Sequence, residues 1–257
     1  MNPEASKFGK AGAESWFAIV PAAGVGRRLG LSVPKQYLSL GERSILQWTV
    51  DALCQASWIR RVLVVVAPDD NTAEMQMRDR ARVSVVKVGG RTRRDSVHNA
   101  LSCLGAALAG DWVLVQDAAR PGITLELLNQ LKRSIESDEV GGLLAIPVAD
   151  TVKRQSSDEG ATAAVNVPLQ RSACTVDRRG LWLAQTPQVF RLGLLQKALD
   201  QCPDATDEAS AIELLGLTPQ LVLGARENFK VTTMEDYLLM QRLMTGRGTT
   251  AKGEVQP

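Results

Sequence analysis

Three stretches of the chain gather residues suited to handling phosphate. The first is Pro21-Ala22-Ala23-Gly24-Val25-Gly26-Arg27-Arg28-Leu29-Gly30, directly after an apolar run. Small residues let the backbone approach a ligand, and successive N–H groups can cradle phosphate oxygens. The spacing G-x-G-x-x-x-G is not the dinucleotide fingerprint, and the G-K-[ST] of a P-loop is missing. Two arginines in the loop, with Lys35 close behind, suit a triphosphate that must be gripped and then cleaved. For a Gly-rich turn alone, an ordinary βα turn with solvated cations stays open. The second stretch is Gly89-Gly90-Arg91-Thr92-Arg93-Arg94-Asp95-Ser96 and the third is Gln116-Asp117-Ala118-Ala119-Arg120-Pro121. Asp117 is the natural carboxylate for Mg²⁺, which takes few carboxylates plus water and phosphate oxygens. Taken alone it could equally cap the following turn. Asp95 reads as a cap for the helix beginning beside it.

What is scarce narrows the chemistry further. The 257 residues include one His, His98, so no site with two or three His ligands forms within one chain. Any Ser-His-Asp or Cys-His pair would run through that residue. It sits between Val97 and Leu101 and reads as a surface or interface His, not a catalytic one. Cys54, Cys103, Cys174 and Cys202 show no C-x-x-C spacing, which argues against a zinc ribbon or a redox pair. They read as reduced, mostly buried thiols of a cytosolic protein. A net charge of +2 favours no nucleic-acid surface. Neither a signal-peptide h-region nor an apolar run of membrane-spanning length is visible, so the expectation is a soluble, cytoplasmic protein.

The elements that would position these loops alternate along the chain. Continuous apolar runs at 16–20, 61–67, 83–88, 112–115 and 143–146 read as strands buried on both faces of a parallel sheet. Ser44 and Thr124 can cap helices carrying Ile45, Leu46, Val50 and Leu53, and Leu127, Leu131 and Ile135; Ile123 can staple onto Leu128. Val97, Leu101, Leu104 and Leu108 mark one helical face, and Thr232 with Glu235 forms a capping box ahead of Leu238, Leu239 and Leu243. The order implies a three-layer α/β domain in which the three charged turns, at strand carboxyl ends, converge on one crevice. Residues 1–15 and 245–257 read as disordered, with one domain over 16–244. The polar stretch 148–179 is either a solvated loop or, more in keeping with its length, a projecting arm in which 164–167 pairs with 173–176.

The motifs PAAGVGRRLG…PKQYLSLG, GGRTRRDSV, QDAARP, PVADTVKR, TVDRRGLWLAQTPQ, TDEAS and NFKVT occur in this order. Together they resemble the 2-C-methyl-D-erythritol 4-phosphate cytidylyltransferase family of the non-mevalonate isoprenoid pathway. The resemblance spans roughly residues 18–243. It implies a Rossmann-like nucleotidyltransferase fold with a mostly parallel sheet and a projecting β-arm. The implied activity is transfer of CMP from CTP to methylerythritol phosphate, with Mg²⁺ and release of pyrophosphate. Arg28 and Lys35 would then stabilise charge on the α-phosphate. The backbone of Pro21, Ala22, Ala23, Gly24 and Gly26 would grip the triphosphate, with Gly90, Arg91, Ser96 and Ala118 completing the nucleotide site. Asp117 would sit by the metal and the substrate hydroxyls. Arg120, Thr151, Arg178, Thr186 and Lys230 would hold methylerythritol phosphate, with Arg178 and Lys230 also placing it for attack. The family forms homodimers with crossing arms, so Thr151 and Arg178 would serve the partner's site. The segment 151–177 is longer than the family norm, through an insertion between Gln155 and Arg171, and Arg91 stands where some members carry an acidic residue.

The chemistry agrees with that resemblance. A phosphate monoester has a second pKa of about 6, so the nucleophile arrives as a dianion and needs no general base. It needs relief of repulsion between two polyanions and in-line positioning, which Arg, Lys, Mg²⁺ and backbone N–H groups supply. The nearest rival is a ribitol-5-phosphate cytidylyltransferase, sharing the CTP loop and differing in the polyol pocket. A nucleotide-binding regulator is disfavoured by Arg28, Lys35 and Asp117 together. An NAD-dependent oxidoreductase is disfavoured by the glycine spacing.

Overall fold

The structure, a computed structural model, describes residues 14–24, 33–105, 107–156 and 170–249, with side chains of the last stretch only to 245. The chain begins with β1 (Trp16–Pro21), β2 (Ser39–Leu40), β3 (Arg43–Ser44), α1 (Ile45–Gln55), β4 (Ile59–Val65), α2 (Thr72–Met77), β5 (Val83–Val86), α3 (Arg93–Leu101) and β6 (Trp112–Val115). It continues through α4 (Leu125–Ile135), β7 (Gly141–Pro147), β8 (Val152–Gln155), β9 (Ser172–Val176) and β10 (Trp182–Arg191). Then come α5 (Leu192–Gln201), α6 (Glu208–Leu214), β11 (Gln220–Leu223) and α7 (Met234–Thr249).

The apolar runs become strands because both of their faces are covered. In β1, Ala18 and Val20 pack with Leu46 and Val50 of α1 and Leu128 and Leu131 of α4. Phe17 and Ile19 point the other way, against Val97 of α3 and Leu194 and Leu195 of α5. Seven strands form the main sheet in the order β11-β7-β10-β6-β1-β4-β5. All neighbours run parallel except β10, which is antiparallel to β6 and β7. This is the expected three-layer α/β fold with a mostly parallel sheet. No helix among the described residues is long and apolar enough to cross a membrane.

The sequence did not disclose β10, because Pro187 interrupts its run and a proline normally demotes a strand. The strand accommodates it with a register shift between Ala184 and Gln188, which takes Thr186 and Pro187 out of regular pairing.

Several local expectations shift. Ser44 does cap α1, in a full box with Gln47, and Thr124 caps α4. The box expected at Thr232 and Glu235 sits one residue later: Thr233 Oγ1 accepts from the Asp236 N–H, and Asp236 accepts from the Thr233 N–H. The buried face of α7 accordingly belongs to Met240 and Met244, with Leu238 and Leu239 exposed. Leu108 is exposed because α3 ends at Leu101 and a short 3₁₀ turn ends at Leu104, before Gly105 reverses the chain at φ +68°. The strand at 172–176 pairs with 152–155, Val152 facing Val176; the stretch 164–167, expected to pair with it, lies outside the described residues. Helix α7 continues to Thr249, into the stretch read above as a tail, and Glu14 pairs with Arg191 at 2.7 Å. Only Cys202 among the free cysteines is fully buried; Cys54 and Cys103 are half-buried and Cys174 is exposed on β9.

Candidate functional site

Strands β1, β4, β5 and β6 run parallel, so their carboxyl ends lie along one edge of the sheet. The chain leaves β1 towards β4 on one side and returns to β6 on the other, making β1/β6 the switch point where α/β sheets open a crevice. A cleft of about 300 Å³ lies there. Pro21, Ala22, Ala23 and Gly24 line one side, Thr92, Arg93 and Ser96 another, and Asp117, Ala118 and Ala119 the floor. Lys35, Gln36, Lys230 and Thr232 complete it.

Each wall is tied to its neighbours by specific bonds. Ala22 donates to the Val65 carbonyl at 2.7 Å, extending β1 towards β4. The buried Gln36 amide donates to the Ala22 carbonyl at 2.7 Å, fixing the short turn that carries Lys35. Lys35 Nζ donates to the Val231 carbonyl at 3.0 Å, on the far side of the cleft. Thr49 Oγ1 of α1 donates to the Ala118 carbonyl at 3.0 Å and holds the floor.

The glycines divide by cause. A Cβ on Gly24 would meet nothing within 4 Å, so protein packing does not demand glycine there and the space beside it faces the cleft. Gly90 is required by close approach, since its Cβ would lie 2.4 Å from the Asp95 Cβ. A Cβ on Gly89 would lie 2.5 Å from the Ala23 Cβ and 2.7 Å from the Val66 carbonyl oxygen. Gly89→Ala therefore forces the first and second loops apart. We expect a loss of about 1–3 kcal/mol in urea unfolding, the usual cost of overpacking.

The second loop is held together by its own side chains. Ser96 Oγ accepts the Gly90 N–H at 3.0 Å and donates to the Thr92 carbonyl at 2.9 Å, closing the loop over the start of α3. Thr92 caps that helix and Asp95 closes the capping box with it. Ser96 lines the cleft; Gly90 and Arg91 do not, and Arg91 is exposed.

Asp117 is the electrostatic centre. Its Oδ1 accepts from Arg93 Nε at 2.7 Å, and its Oδ2 lies 2.8 Å from Lys230 Nζ and 3.6 Å from Arg120 Nε. Its backbone N–H donates to Thr186 Oγ1 at 3.0 Å, the contact that the irregularity in β10 makes possible. Burial pushes the Asp117 carboxyl up, but Arg93, Lys230 and Arg120 outweigh it and hold the group well below the usual carboxylate range. Arg93 is itself gripped by Glu208 through both terminal nitrogens, at 2.7 and 3.0 Å. Burial pulls its guanidinium down, and the Glu208 and Asp117 carboxylates more than reverse that.

The structure thus brings Pro21, Ala22, Ala23, Gly24, Lys35, Ser96, Asp117, Ala118 and Lys230 to one cleft. Thr186 and Arg120 stand behind it. Arg120 is largely buried, with one terminal nitrogen on the Asn228 carbonyl at 2.7 Å, so it braces the wall below Lys230. Gly26 and Arg28 lie outside the described residues. Thr151 and Arg178 are exposed at the base of the β8–β9 arm and do not line the cleft of their own chain. His98 pairs with Asp200 of α5 at 2.6 Å, away from the cleft lining. Sequence reasoning assigned no role to Arg93, Gln36 or Glu208. All three lie inside the quoted motifs, in GGRTRRDSV, PKQYLSLG and TDEAS respectively. Nothing in the residue types separates Arg93, which faces the cleft, from Arg94, which donates to the Leu199 and Cys202 carbonyls.

Comparison with known proteins points the same way. The sequence profile of the 2-C-methyl-D-erythritol 4-phosphate cytidylyltransferase family matches residues 16–246. A cytidylyltransferase of that name from Laribacter hongkongensis is 49% identical over 231 residues, covering 88% of this chain and 95% of the relative. One from Dechloromonas aromatica is 45% identical, covering 90% and 98%. A crystal structure of 4-diphosphocytidyl-2C-methyl-D-erythritol synthase superposes with a TM-score of 0.78 at 36% identity, over 91% of this chain and all of that one. The Francisella tularensis 2-C-methyl-D-erythritol 4-phosphate cytidylyltransferase superposes with a TM-score of 0.72 at 32% identity, over 89% of this chain and 100% of that one. With motif order, fold and cleft in agreement, the chain belongs to the 2-C-methyl-D-erythritol 4-phosphate cytidylyltransferase family.

Proposed function

We infer that the chain transfers CMP from CTP to 2-C-methyl-D-erythritol 4-phosphate, releasing pyrophosphate. The observation that carries this is the convergence of three strand-end loops on one cleft bearing Lys35, Asp117 and Lys230. The ribitol 5-phosphate alternative is not favoured, since the family profile and the curated relatives name methylerythritol phosphate. Labelling the α-phosphate of CTP tests it: the label should move, together with cytidine, into a cytidine-diphosphate-linked polyol only when methylerythritol phosphate is present. Label appearing as free CMP regardless of acceptor would contradict the reading.

The acceptor phosphate attacks the α-phosphorus, and the bond to the β,γ-pyrophosphate breaks. No side chain has to remove a proton, because the nucleophile is a dianion above a pKa of about 6. Lys35 and Arg28 offset the charge that builds on the α-phosphate. The backbone from Pro21 to Gly26, with Ser96 and Ala118, holds the nucleotide. Asp117 accepts from the polyol hydroxyls, and Lys230 binds the acceptor beside it.

Mg²⁺ fits these residues in a limited way. No cluster of three or more His, Cys, Asp or Glu exists among the described residues. Asp117 alone offers a carboxylate, and its oxygens are already paired with Arg93 and Lys230. That suits an ion taking most of its ligands from phosphate and water, with Asp117 as its protein carboxylate. Bound there, Mg²⁺ would neutralise phosphate charge.

The reading includes cytoplasmic homodimers whose arms cross, so that Thr151 and Arg178 complete the partner's acceptor site. Two features support it. The β8–β9 arm leaves Arg178 exposed, and Leu181, Trp182, Leu183, Leu221 and Leu223 expose apolar surface beside its base. Arg178→Ala should mainly raise the KM for methylerythritol phosphate, and weakened CTP binding alone would contradict this placement. Mixing Arg28→Ala with Arg178→Ala protein should restore activity, because crossing arms give each heterodimer one intact site. Proven subunit exchange without regained activity would exclude crossing.

A further inference from the structure

One buried charge lies behind the cleft with no part in the transfer chemistry. Glu208 opens α6, and its side chain is 1% exposed. A carboxylate removed from water in this way is costly unless it is paired. Its partner is the forked end of Arg93, held through both terminal nitrogens at 2.7 and 3.0 Å. The anchorage is rigid. Gln188 of β10 accepts the Ala209 N–H at 2.7 Å and donates to Asp207 at 2.8 Å, and Asp207 caps α6. The same strand carries Thr186, which accepts the Asp117 N–H. Glu208 and Asp117 are therefore set relative to each other by one strand.

A guanidinium prefers to meet a carboxylate through two parallel N–H bonds. Here Glu208 takes that paired edge, and Asp117 receives only Nε, on Oδ1. Oδ2 is left to Lys230 at 2.8 Å, with Arg120 Nε farther off at 3.6 Å. We propose that Glu208 is a positioning residue for the polyol phosphate. By occupying the fork of Arg93, it limits Arg93 to one bond with Asp117 and keeps Asp117 Oδ2 and Lys230 presented to the cleft. Without it, the fork turns to Asp117, takes both oxygens and displaces Lys230. This rests on the reading that Asp117 and Lys230 meet the acceptor.

The test compares wild type, Glu208→Gln, Glu208→Asp, Asp117→Asn and the Glu208→Gln/Asp117→Asn double variant. The readouts are KM for each substrate, melting temperature and the rate at which Lys230 is acylated, followed by mass spectrometry. Glu208→Gln should raise the KM for methylerythritol phosphate by about tenfold or more while the KM for CTP stays within about threefold, the split expected when ground-state contacts to one substrate are lost. Glu208→Asp keeps the charge and should fall between the two, which preserves the test if the Gln variant does not fold. In the Asp117→Asn background, Glu208→Gln should add less than about twofold, because residues acting through one group are non-additive. Lys230, released from Asp117, should acylate several-fold faster, a readout that needs no turnover.

Equal rises in both KM values would overturn the proposal, as would a fully additive double variant or an unchanged Lys230 acylation rate. Each would leave Glu208 a structural ion-pair partner. A wild-type enzyme that ignores methylerythritol phosphate but uses another polyol phosphate overturns the acceptor assignment alone. The same KM split is then read with that acceptor.

Discussion

Replacing Lys35 by Ala lowers kcat by about a hundredfold or more, the typical loss when one preorganised donor to a developing anion is removed. Three observations give this prediction its size. The side chain sits in the cleft, with its ammonium drawn across to the Val231 carbonyl at 3.0 Å. The turn that carries it is locked by Gln36 onto the first loop. Tyr37 fixes the same turn from the other side through a 2.5 Å hydrogen bond to Asp70. A cation held this firmly needs little rearrangement as charge builds on the phosphate. Arg28→Ala should lose a similar factor. Steady-state rates with saturating CTP and acceptor check both, and near-normal kcat in the two variants would reject the charge-relief mechanism.

The largest effect on stability is expected at Arg93. Arg93→Met removes the partner of a carboxylate that is 1% exposed and one of the cations around Asp117. Breaking a buried ion pair by deleting one member costs about 3–5 kcal/mol, because the other charge stays buried. Adding Glu208→Leu should recover much of that loss, since an apolar pair of similar volume avoids the stranded charge. Arg94→Met, which frees backbone carbonyls and an exposed Asp95 contact, should cost clearly less. Denaturant unfolding of the three variants measures the order. An Arg93→Met protein as stable as wild type would show that the network contributes nothing to folding.

The legible part of the fold was the part governed by burial on two faces. The strands around β1 announced themselves as unbroken apolar runs, and Ser44 and Thr124 marked helix starts through their side-chain oxygens. The three loops were legible because parallel strands end on the same edge of a sheet. Other features depend on pairing, which sequence carries weakly. Pro187 disguised β10, and the polar arm gave no alternation strong enough to fix its register, so 152–155 was overlooked as the partner of 172–176. In the site, Asp117 and Lys230 were visible as residue types. The bond that links Asp117 through Arg93 to Glu208, across 115 positions of sequence, was not. A Glu after an Asp cap reads as a helix-start residue, and only tertiary packing turns it towards an arginine.

The cleft is read as joining a nucleotide to a phosphorylated polyol by relieving charge repulsion. Pyrophosphate release tests it most directly, measured with CTP and Mg²⁺ and either methylerythritol phosphate, ribitol 5-phosphate or no acceptor. Release should be rapid with methylerythritol phosphate and slight in the other two reactions. Equal release with ribitol 5-phosphate, or release that does not depend on any acceptor, would contradict it.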